Sequence, residues 1–360
     1  MRVVLAGGGT TGHISPMLAT GEALRSCQQD IEITCVGTEV GLETDLVPAA
    51  GFELALVDPV PLPRRLSPEL ATLPVRILRS VHQAKIILRG ADVVTGFGGY
   101  ASLPVYLAAR AMKVPVVVHE ANAVPGLANK IAARFAAYVC VTFANTGLPR
   151  QIVTGMPVRA AVANLDRKAG RAHARETFGL DPSAPVLLVS GGSQGARTLN
   201  QATVAALPSL VEAGISVLHV TGKKNFTASA PPAQYPGYVR VPYVEAMDQA
   251  YAAADLMVAR SGAGTVTETA LAGLPVIFVP LPHGNGEQAK NAVGVVEAGG
   301  GILIPDAELT GVRLAEEAIR ILTNDSVLAS MSEAAITVMP RDAAQAVAGY
   351  TLDAAKEARQ

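Results

Sequence analysis

A glycine-rich loop close to the N-terminus ends in a histidine, and this combination could bind a phosphate and move a proton. The stretch LAGGGTTGHISPML (residues 5–18) has GxGxxG spacing over residues 7–12, and His13 follows the last glycine. Glycines allow backbone N–H groups to approach a phosphate, and an imidazole can accept a proton at neutral pH. Ser15 and Pro16 predict a helix that begins only after His13, which leaves the histidine in the loop. The alternative is a histidine that caps its own turn.

Two further polar loops follow predicted strands in the first half of the chain. The segment GFGGYAS (residues 96–102) is a second backbone nest that suits a phosphate. The segment HEANAVPGLANK (residues 119–130) places His119, Glu120 and Asn122 at the same edge of the predicted sheet. For His119, a structural role in holding its loop and a ligand-binding role are equally compatible with the sequence.

The second half contains a comparable loop, ARSGAGTVTETALAGLP, which predicts a helix that begins near Thr265. One interpretation of Thr265 and Glu268 is a capping box, in which the glutamate caps the helix. The other is that the backbone N–H groups of residues 262–265 bind a diphosphate while Glu268 binds the ribose hydroxyls. The spacing alone does not decide between them.

The segment PLPHGNGEQAKNA (residues 280–292) supplies amides that suit uncharged sugar hydroxyls. Gln288 and Asn291 lie three residues apart and share one helical face. The sequence contains no Asp-x-Asp motif, so nothing marks a metal-held diphosphate, and we expect no metal and no cofactor. Helix dipoles and basic side chains must then neutralise a bound diphosphate.

The composition excludes several classes of protein. The 360 residues are 50% hydrophobic and carry a formal net charge of −1, which argues against nucleic acid as a partner. The three cysteines show no CxxC spacing and indicate reduced thiols of a cytosolic protein. No apolar run resembles a signal peptide or approaches the roughly 18 residues of a membrane span. We therefore expect a soluble intracellular protein that can still rest on a membrane surface.

Short β-branched runs alternate with helical stretches and predict parallel sheets. The predicted strands are RVVLA, IEITCVG, DVVTG, PVVVHE and YVCVT in the first half and PVLLVSG, SVLHVTG, DLMVAR, PVIFVP and GILIP in the second. The pattern restarts at residues 186–196, where VLLVSGGSQGA matches VVLAGGGTTGH near the N-terminus. We expect two doubly wound, Rossmann-like α/β domains, residues 1–158 and 159–341, with ligands in a cleft between them. A C-terminal helix over about residues 342–360 is expected to pack back on the first domain.

Together, these motifs closely resemble the MurG family of bacterial peripheral membrane glycosyltransferases. The matching segments, from residue 1 to about 300, are GGGTTGHISP, GFGGYASLPVYLAA, HEANAVPGLANK, GMPVR, SGGSQGARTLN and RSGAGTVTETALAGLPVIFVPLPHGNGEQAKNA. The resemblance implies a GT-B fold and an inverting, metal-independent transfer of N-acetylglucosamine from UDP-N-acetylglucosamine to the 4-hydroxyl of the muramyl sugar of lipid I. The product would be lipid II for peptidoglycan synthesis, cell wall biogenesis, cell shape and cell division. The location implied is the cytoplasmic face of the cell membrane.

The resemblance also implies roles for individual residues. We expect His13 to be the catalytic base that faces the incoming hydroxyl. The resemblance implies further residues on the acceptor side or at substrate-contacting positions. In the first domain they are Thr10, Thr11, Gly12, Gly98, Gly99, Tyr100, His119 and Asn122, and beyond it they are Arg159 and Ser193. In the second domain, Val244 would contact uracil through its backbone, and Glu268 would bind the ribose with capping as a second role. The diphosphate loop and the sugar-binding amides would be Ala263, Gly264, Thr265, Val266, Thr267, Gln288 and Asn291.

Three residues depart from the family pattern. Thr11 stands where glycine is common, Met156 where asparagine often precedes PVR, and Glu287 where glutamine often precedes Gln288.

Three other functions compete with this one. The main alternative is a UDP-sugar epimerase of the same fold, against which the GFGGY and HEAN motifs argue. A nicotinamide oxidoreductase is disfavoured because the expected acid arrives late, at Glu39. A non-catalytic membrane scaffold does not account for the number of polar loops at strand ends.

One basic amphipathic segment predicts an anionic membrane surface as a partner. The stretch LPVRILRSVHQAKIILRG (residues 73–90) contains four basic residues and no acid among apolar side chains. Arg64 and Arg65 lie just upstream. The alternative is an ordinary core helix with a solvated basic face.

Overall fold

The computed structural model describes residues 1–60, 73–192, 194–226, 235–283 and 285–359. The chain divides into two compact units, Met1–Arg159 with Asp342–Gln360, and Ala160–Arg341. Each unit is built on one parallel sheet, which confirms the predicted α/β fold class.

The first unit contains a seven-stranded parallel sheet in its described part. The strands are β1 (Arg2–Ala6), β2 (Glu32–Gly37), β3 (Glu53–Leu56), β4 (Val93–Gly96), β5 (Val116–Glu120), β6 (Tyr138–Val141) and β7 (Gln151–Val153). The helices are α1 (Thr11–Cys27), α2 (Glu43–Ala49), α3 (Leu73–Ile87), α4 (Ser102–Met112), α5 (Leu127–Ala132) and, at the C-terminus, α14 (Ala343–Glu357). The strand order β3-β2-β1-β4-β5-β6-β7 reverses direction between β1 and β4. Ligands of doubly wound folds bind at such a reversal, beyond the carboxyl ends of the strands.

The second unit has a six-stranded parallel sheet within the residues described. The strands are β8 (Val186–Ser190), β9 (Ser216–Val220), β10 (Tyr238–Val241), β11 (Leu256–Ala259), β12 (Val276–Phe278) and β13 (Gly301–Leu303). The helices are α6 (Ala160–Ala163), α7 (Arg167–Thr177), α8 (Arg197–Glu212), α9 (Met247–Ala253), α10 (Ala263–Ala272), α11 (Glu287–Glu297), α12 (Gly311–Leu322) and α13 (Asp325–Ile336). The order β10-β9-β8-β11-β12-β13 places its reversal between β8 and β11. The loops that follow these two strands therefore meet at one edge.

The central strands are mostly apolar because both faces of each sheet are covered. In β1, Val3 and Leu5 pack in one buried cluster with Ile14 of α1 and Val347 of α14. Val4 and Ala6 pack in another cluster on the opposite face. This alternation follows from the two-residue period of a strand. The C-terminal helix α14 thereby belongs to the core of the first unit.

Helix α1 begins earlier than the sequence predicted. Its first residue is Thr11, and Thr10 is an N-cap with extended backbone whose carbonyl accepts the N–H of Ile14 at 3.1 Å. The expected start after His13 is therefore wrong. Pro16 lies inside the helix, where its missing N–H affects only the carbonyl of Gly12 at the exposed helix end.

No helix in the described part of the chain is both long enough and apolar enough to cross a bilayer.

Candidate functional site

The loop after β1 is held by a buried acid, Glu43, which the sequence analysis did not single out. Its Oε2 accepts the backbone N–H of Gly9 at 2.9 Å, and its Oε1 accepts the backbone N–H and hydroxyl of Thr38 at 2.8 and 2.9 Å. Burial raises the pKa of Glu43, but these three hydrogen bonds and one from its own backbone N–H outweigh it, and the pKa lies below its ordinary value. The Gly9 N–H is thus directed at a carboxylate and is not available to a ligand.

The part of this loop that can meet an anion is the first turn of α1. Thr10, Thr11 and Gly12 are exposed. The first N–H groups of a helix have no partner within it, and the helix dipole favours negative charge there. These three predicted residues can therefore offer backbone donors and two hydroxyls to a phosphate.

His13 lies in the same turn, half-buried, with its ring orientation defined by the loop. Its Nδ1 is 3.2 Å from the carbonyl oxygen of Gly8 and 3.3 Å from Oγ1 of Thr10. Because a carbonyl only accepts, Nδ1 carries the proton in this bond and Nε2 keeps its lone pair. Burial lowers the pKa of His13 below its ordinary value, whereas Glu120, the Gly8 carbonyl and Glu43 raise it. The histidine does bond its own turn, as the alternative interpretation held, yet its Nε2 remains suited to accept a proton.

The loop after β4 packs directly against the first loop and against His13. Gly98 and Gly99 have positive φ angles of 88° and 87°, a conformation that L side chains rarely adopt. A Cβ atom at Gly98 would lie 3.4 Å from Nε2 of His13, and one at Gly99 would collide with the carbonyl oxygen of Gly8. Tyr100 beside them is half-exposed. The structure thus brings Gly98 against the imidazole and Gly99 against the first loop.

His119, the acceptor-side histidine predicted after β5, is instead fully buried. Its Nε2 donates to the carbonyl of Gly155 at 3.0 Å. Burial lowers the pKa of His119 to about 4, so the ring is neutral near pH 7. This bond to Gly155 fits the structural role that the sequence left open for His119, and a contact of its side chain with the acceptor stays a prediction.

The neighbouring acid, Glu120, organises the third loop. Its two carboxylate oxygens accept the backbone N–H groups of Asn122 and Gly126, both at 3.0 Å, and the amide of Asn129 at 2.9 Å. Asn129 is itself fixed by the hydroxyl of Tyr106 at 2.8 Å. Asn122 therefore sits half-buried on a backbone that this buried network holds in place.

One of the remaining predicted residues lies where the chain passes from the first unit to the second. Arg159 is exposed and is the last residue of the first segment of the first unit, close after the buried Met156. Ser193, predicted as a substrate contact, lies outside the described residues.

In the second unit, helix α10 begins at Ala263 and not near Thr265, so the capping-box interpretation is wrong. The N-cap is Gly262, which has no side chain to cap the helix, and Thr265 lies within the first turn. The backbone N–H groups of residues 262–265 are the ones without intrahelical partners, and they suit a diphosphate. Val266 donates its N–H to the Gly262 carbonyl, and the side chains of Val266 and Thr267 are fully buried. The predicted loop residues that remain partly exposed are therefore Gly264 and Thr265, whereas Ala263 is buried.

Glu268 lies one turn further along α10 and is held by a tyrosine that the sequence analysis missed. The hydroxyl of Tyr251 in α9 donates to Oε2 of Glu268 at 2.7 Å. Tyr251 is almost fully buried, whereas Glu268 is half-buried. A charged hydrogen bond of this kind restricts the carboxylate to one orientation.

The predicted sugar-binding amides occupy two different environments. Oε1 of Gln288 accepts the N–H of Leu281 at 2.9 Å, at the surface. Asn291 is fully buried, and its amide donates to the carbonyl of Ser261 at 3.2 Å. Asn291 therefore supports the loop that precedes α10, and a direct sugar contact is not supported for it. Val244 is buried, and its backbone contact with uracil stays a prediction.

Among the described residues, no group of three or more histidine, cysteine or acidic side chains is arranged to hold a metal ion. Arg260, the basic residue nearest the α10 loop in sequence, pairs with Asp306 at 2.5 Å and donates to the carbonyls of Val279 and Pro280. The start of α10 thus supplies positive potential for a diphosphate without a metal ion.

Comparison with known protein families matches both halves of the chain. The glycosyltransferase family 28 N-terminal domain matches residues 3–141, and the family 28 C-terminal domain matches residues 186–347. Among solved structures, MurG from Acinetobacter baumannii is 28% identical, covers 98% of this chain and 99% of that one, and superposes with a TM-score of 0.77. A Listeria monocytogenes protein assigned as a UDP-N-acetylglucosamine 2-epimerase reaches 0.68 at 16% identity over 95% of this chain and 93% of that one, a likeness of fold alone.

Curated relatives match over nearly the whole length. A protein from Mycolicibacterium smegmatis is 53% identical over 99% of this chain and 95% of its own. One from Corynebacterium jeikeium is 52% identical over 99% of this chain and 97% of its own. Both are named UDP-N-acetylglucosamine--N-acetylmuramyl-(pentapeptide) pyrophosphoryl-undecaprenol N-acetylglucosamine transferase.

Proposed function

Because this chain belongs to the MurG family within glycosyltransferase family 28, we propose that it transfers N-acetylglucosamine from UDP-N-acetylglucosamine to lipid I. The acceptor is the 4-hydroxyl of the muramyl sugar on undecaprenyl pyrophosphate, and the product is lipid II. The observation that carries this proposal is the match of about half of all residues, over 99% of the chain, to relatives named for this transfer.

The donor is held by the second unit. The N–H groups at the start of α10 bind the diphosphate of UDP, and the helix dipole offsets its charge in place of a metal ion. Glu268, oriented by Tyr251, accepts hydrogen bonds from the ribose hydroxyls. Gln288 binds hydroxyls of the sugar, and the backbone at Val244 reads uracil.

The acceptor is activated by His13. As the 4-hydroxyl oxygen attacks the anomeric carbon, its proton passes to Nε2 of the imidazole, and the bond between that carbon and the diphosphate oxygen breaks. UDP leaves with the electron pair, and the anomeric configuration inverts. A positioned base of this kind contributes roughly 10²–10⁴-fold to the rate. The exposed first turn of α1 binds the pyrophosphate of lipid I.

Helix α3 binds the membrane on which lipid I resides. Its outward face exposes Val75, Leu78 and Ile86 at 68%, 69% and 50%. Lys85, exposed beside them, adds attraction to anionic lipid of about 1 kcal/mol. Arg79 is already paired with Asp58 at 2.7 Å, so its charge contributes less. The surface involved is the cytoplasmic face of the cell membrane, and no nucleic acid takes part.

Incubation with UDP-N-acetylglucosamine, with and without lipid I, tests this function. A transferase consumes the donor and releases UDP only when lipid I is present. An epimerase would change the sugar of the donor without any acceptor, and that result would replace the proposal by its main alternative.

A further inference from the structure

One peptide group links the buried acid of the first loop to the imidazole of His13. The N–H of Gly9 donates to Oε2 of Glu43 at 2.9 Å. The carbonyl of the same peptide belongs to Gly8, and it accepts Nδ1–H of His13 at 3.2 Å. Carboxylate, peptide and imidazole thus form one hydrogen-bonded series. Bonds in such a series polarise one another.

The space for this acid is built by three glycines. A Cβ atom at Gly8 or Gly41 would collide with the carboxylate of Glu43, and one at Gly37 would collide with its Cγ. The side chain is fully buried, and its Oε1 is fixed by Thr38. Any larger residue at one of these three glycines would displace the Glu43 carboxylate. The position of this one negative charge therefore depends on close packing of the backbone around it.

We propose that Glu43 is a positioning residue that orients and polarises His13 through the peptide between Gly8 and Gly9. The carboxylate strengthens the Gly8 carbonyl as an acceptor, which holds the proton on Nδ1 and makes Nε2 the more basic nitrogen. No proton moves to Glu43 during the reaction. The proposal rests on the proposed role of His13 as the base.

The charges around the ring set the expected direction of change. Two carboxylates, Glu120 and Glu43, and the Gly8 carbonyl all raise the pKa of His13 against the effect of burial. Removal of the Glu43 charge therefore lowers the pKa of the imidazole. A weaker base reacts more slowly, and its acid-side loss of activity begins at a lower pH.

The test combines Glu43→Gln with Glu53→Gln as a matched control. The glutamine keeps the size of Glu43, but its NH₂ group cannot accept, so one backbone N–H at Gly9 or Thr38 loses its acceptor. Glu53 accepts a threonine hydroxyl, that of Thr34 at 3.1 Å, and lies in the edge strand β3, outside the first loop. Measurements are the ¹⁵N chemical shifts of the His13 ring against pH, kcat against pH, and the Kd for UDP-N-acetylglucosamine.

We expect Glu43→Gln to lower kcat about 10- to 100-fold, as expected for a misplaced catalytic group, with the Kd for UDP-N-acetylglucosamine unchanged. The pKa of His13 and the acid limb of kcat should move to lower pH together, and Glu53→Gln should change neither. An unchanged His13 titration in a folded Glu43→Gln protein overturns the proposal. The proposal is also overturned if the ¹⁵N shifts place the proton on Nε2 of His13 in the wild-type chain, and this measurement needs no variant. If the His13 pKa falls while kcat stays constant, the link to Glu43 stands and the role of His13 as the base is refuted.

Discussion

Replacement of Glu268 by alanine should weaken donor binding through the ribose alone. The carboxylate is half-buried on α10, and the hydroxyl of Tyr251 holds its Oε2 at 2.7 Å. An oriented carboxylate accepts a hydrogen bond from a ribose hydroxyl without a further loss of side-chain freedom. The alanine variant removes both the charge and its orientation.

The size of the effect follows from the type of bond that is lost. A hydrogen bond to a charged group contributes about 1.5–3 kcal/mol. Since about 1.4 kcal/mol corresponds to a factor of ten in Kd, Glu268→Ala should raise the Kd for UDP by roughly 10- to 150-fold. Tyr251→Phe removes only the orienting bond and should have a smaller effect in the same direction.

Calorimetric titration with UDP and with 2′,3′-dideoxy-UDP isolates the ribose contribution. The wild-type protein should prefer UDP, and the alanine variant should bind both ligands with nearly equal affinity. Glu268→Gln keeps an acceptor for Tyr251 without the charge and should fall between the two. If Glu268→Ala still discriminates between UDP and the dideoxy analogue as strongly as the wild type, the carboxylate does not bind the ribose.

Four further predictions concern the base, the metal, the membrane and pH. His13→Ala should lower kcat by roughly 10²–10⁴-fold with donor affinity unchanged, and a variant that loses only acceptor affinity would contradict the base role. Transfer should persist within about twofold in EDTA, because a helix dipole binds the diphosphate; rescue by magnesium after complete loss would refute this. Val75→Ser should reduce co-sedimentation with anionic liposomes. Val312 in the second unit is equally exposed (70%, against 68% for Val75), and Val312→Ser should not reduce it. Equal losses in the two variants would rule out α3 as the membrane contact. Burial lowers the pKa of His119 and of His219 to about 4. As the pH falls below about 6.5, these histidines therefore bind protons in the unfolded chain before they do so in the folded one. Urea titrations should show that the free energy of unfolding decreases from that pH downward by up to about 3 kcal/mol per histidine. A flat profile between pH 6.5 and 4.5 would contradict the buried, neutral state of both rings.

The strands could be predicted from sequence because the sheets are covered on both faces. All ten predicted strands are present, and each is built around a short apolar run. The three that were missed, β3, β7 and β10, have only three or four residues, and all their side chains are at least partly exposed. Short strands at sheet edges lack the apolar run that identifies the others.

The starts of the two helices that bear on the site could not be predicted from side-chain signals. Thr10 and Gly262 are the N-caps of α1 and α10, and neither makes a side-chain cap. The sequence offered Ser15 with Pro16, and Thr265 with Glu268, as stronger capping patterns. Backbone geometry at the strand ends overrode those patterns, and this moved His13 and Thr265 into the helices.

The residues that hold the site in place were missed because their partners are distant in sequence. Glu43 bonds Gly9 across 34 positions, and Tyr251 bonds Glu268 across 17. Only the fold brings such pairs together. A usable signal for Glu43 was the glycine at residue 41 in a segment otherwise typical of a helix start, which indicates close packing around the acid.

The central claim is that N-acetylglucosamine moves from UDP to the muramyl 4-hydroxyl with inversion. The direct measurement is the structure of the product formed by the purified protein from ¹³C-labelled UDP-N-acetylglucosamine and lipid I, determined by mass spectrometry and NMR. We expect a lipid-linked disaccharide with a β-1,4 bond, formed in equal amount to the UDP released. A labelled sugar that is epimerised or freed in water with no lipid product would contradict the transfer, and an α-linked disaccharide would contradict the inversion.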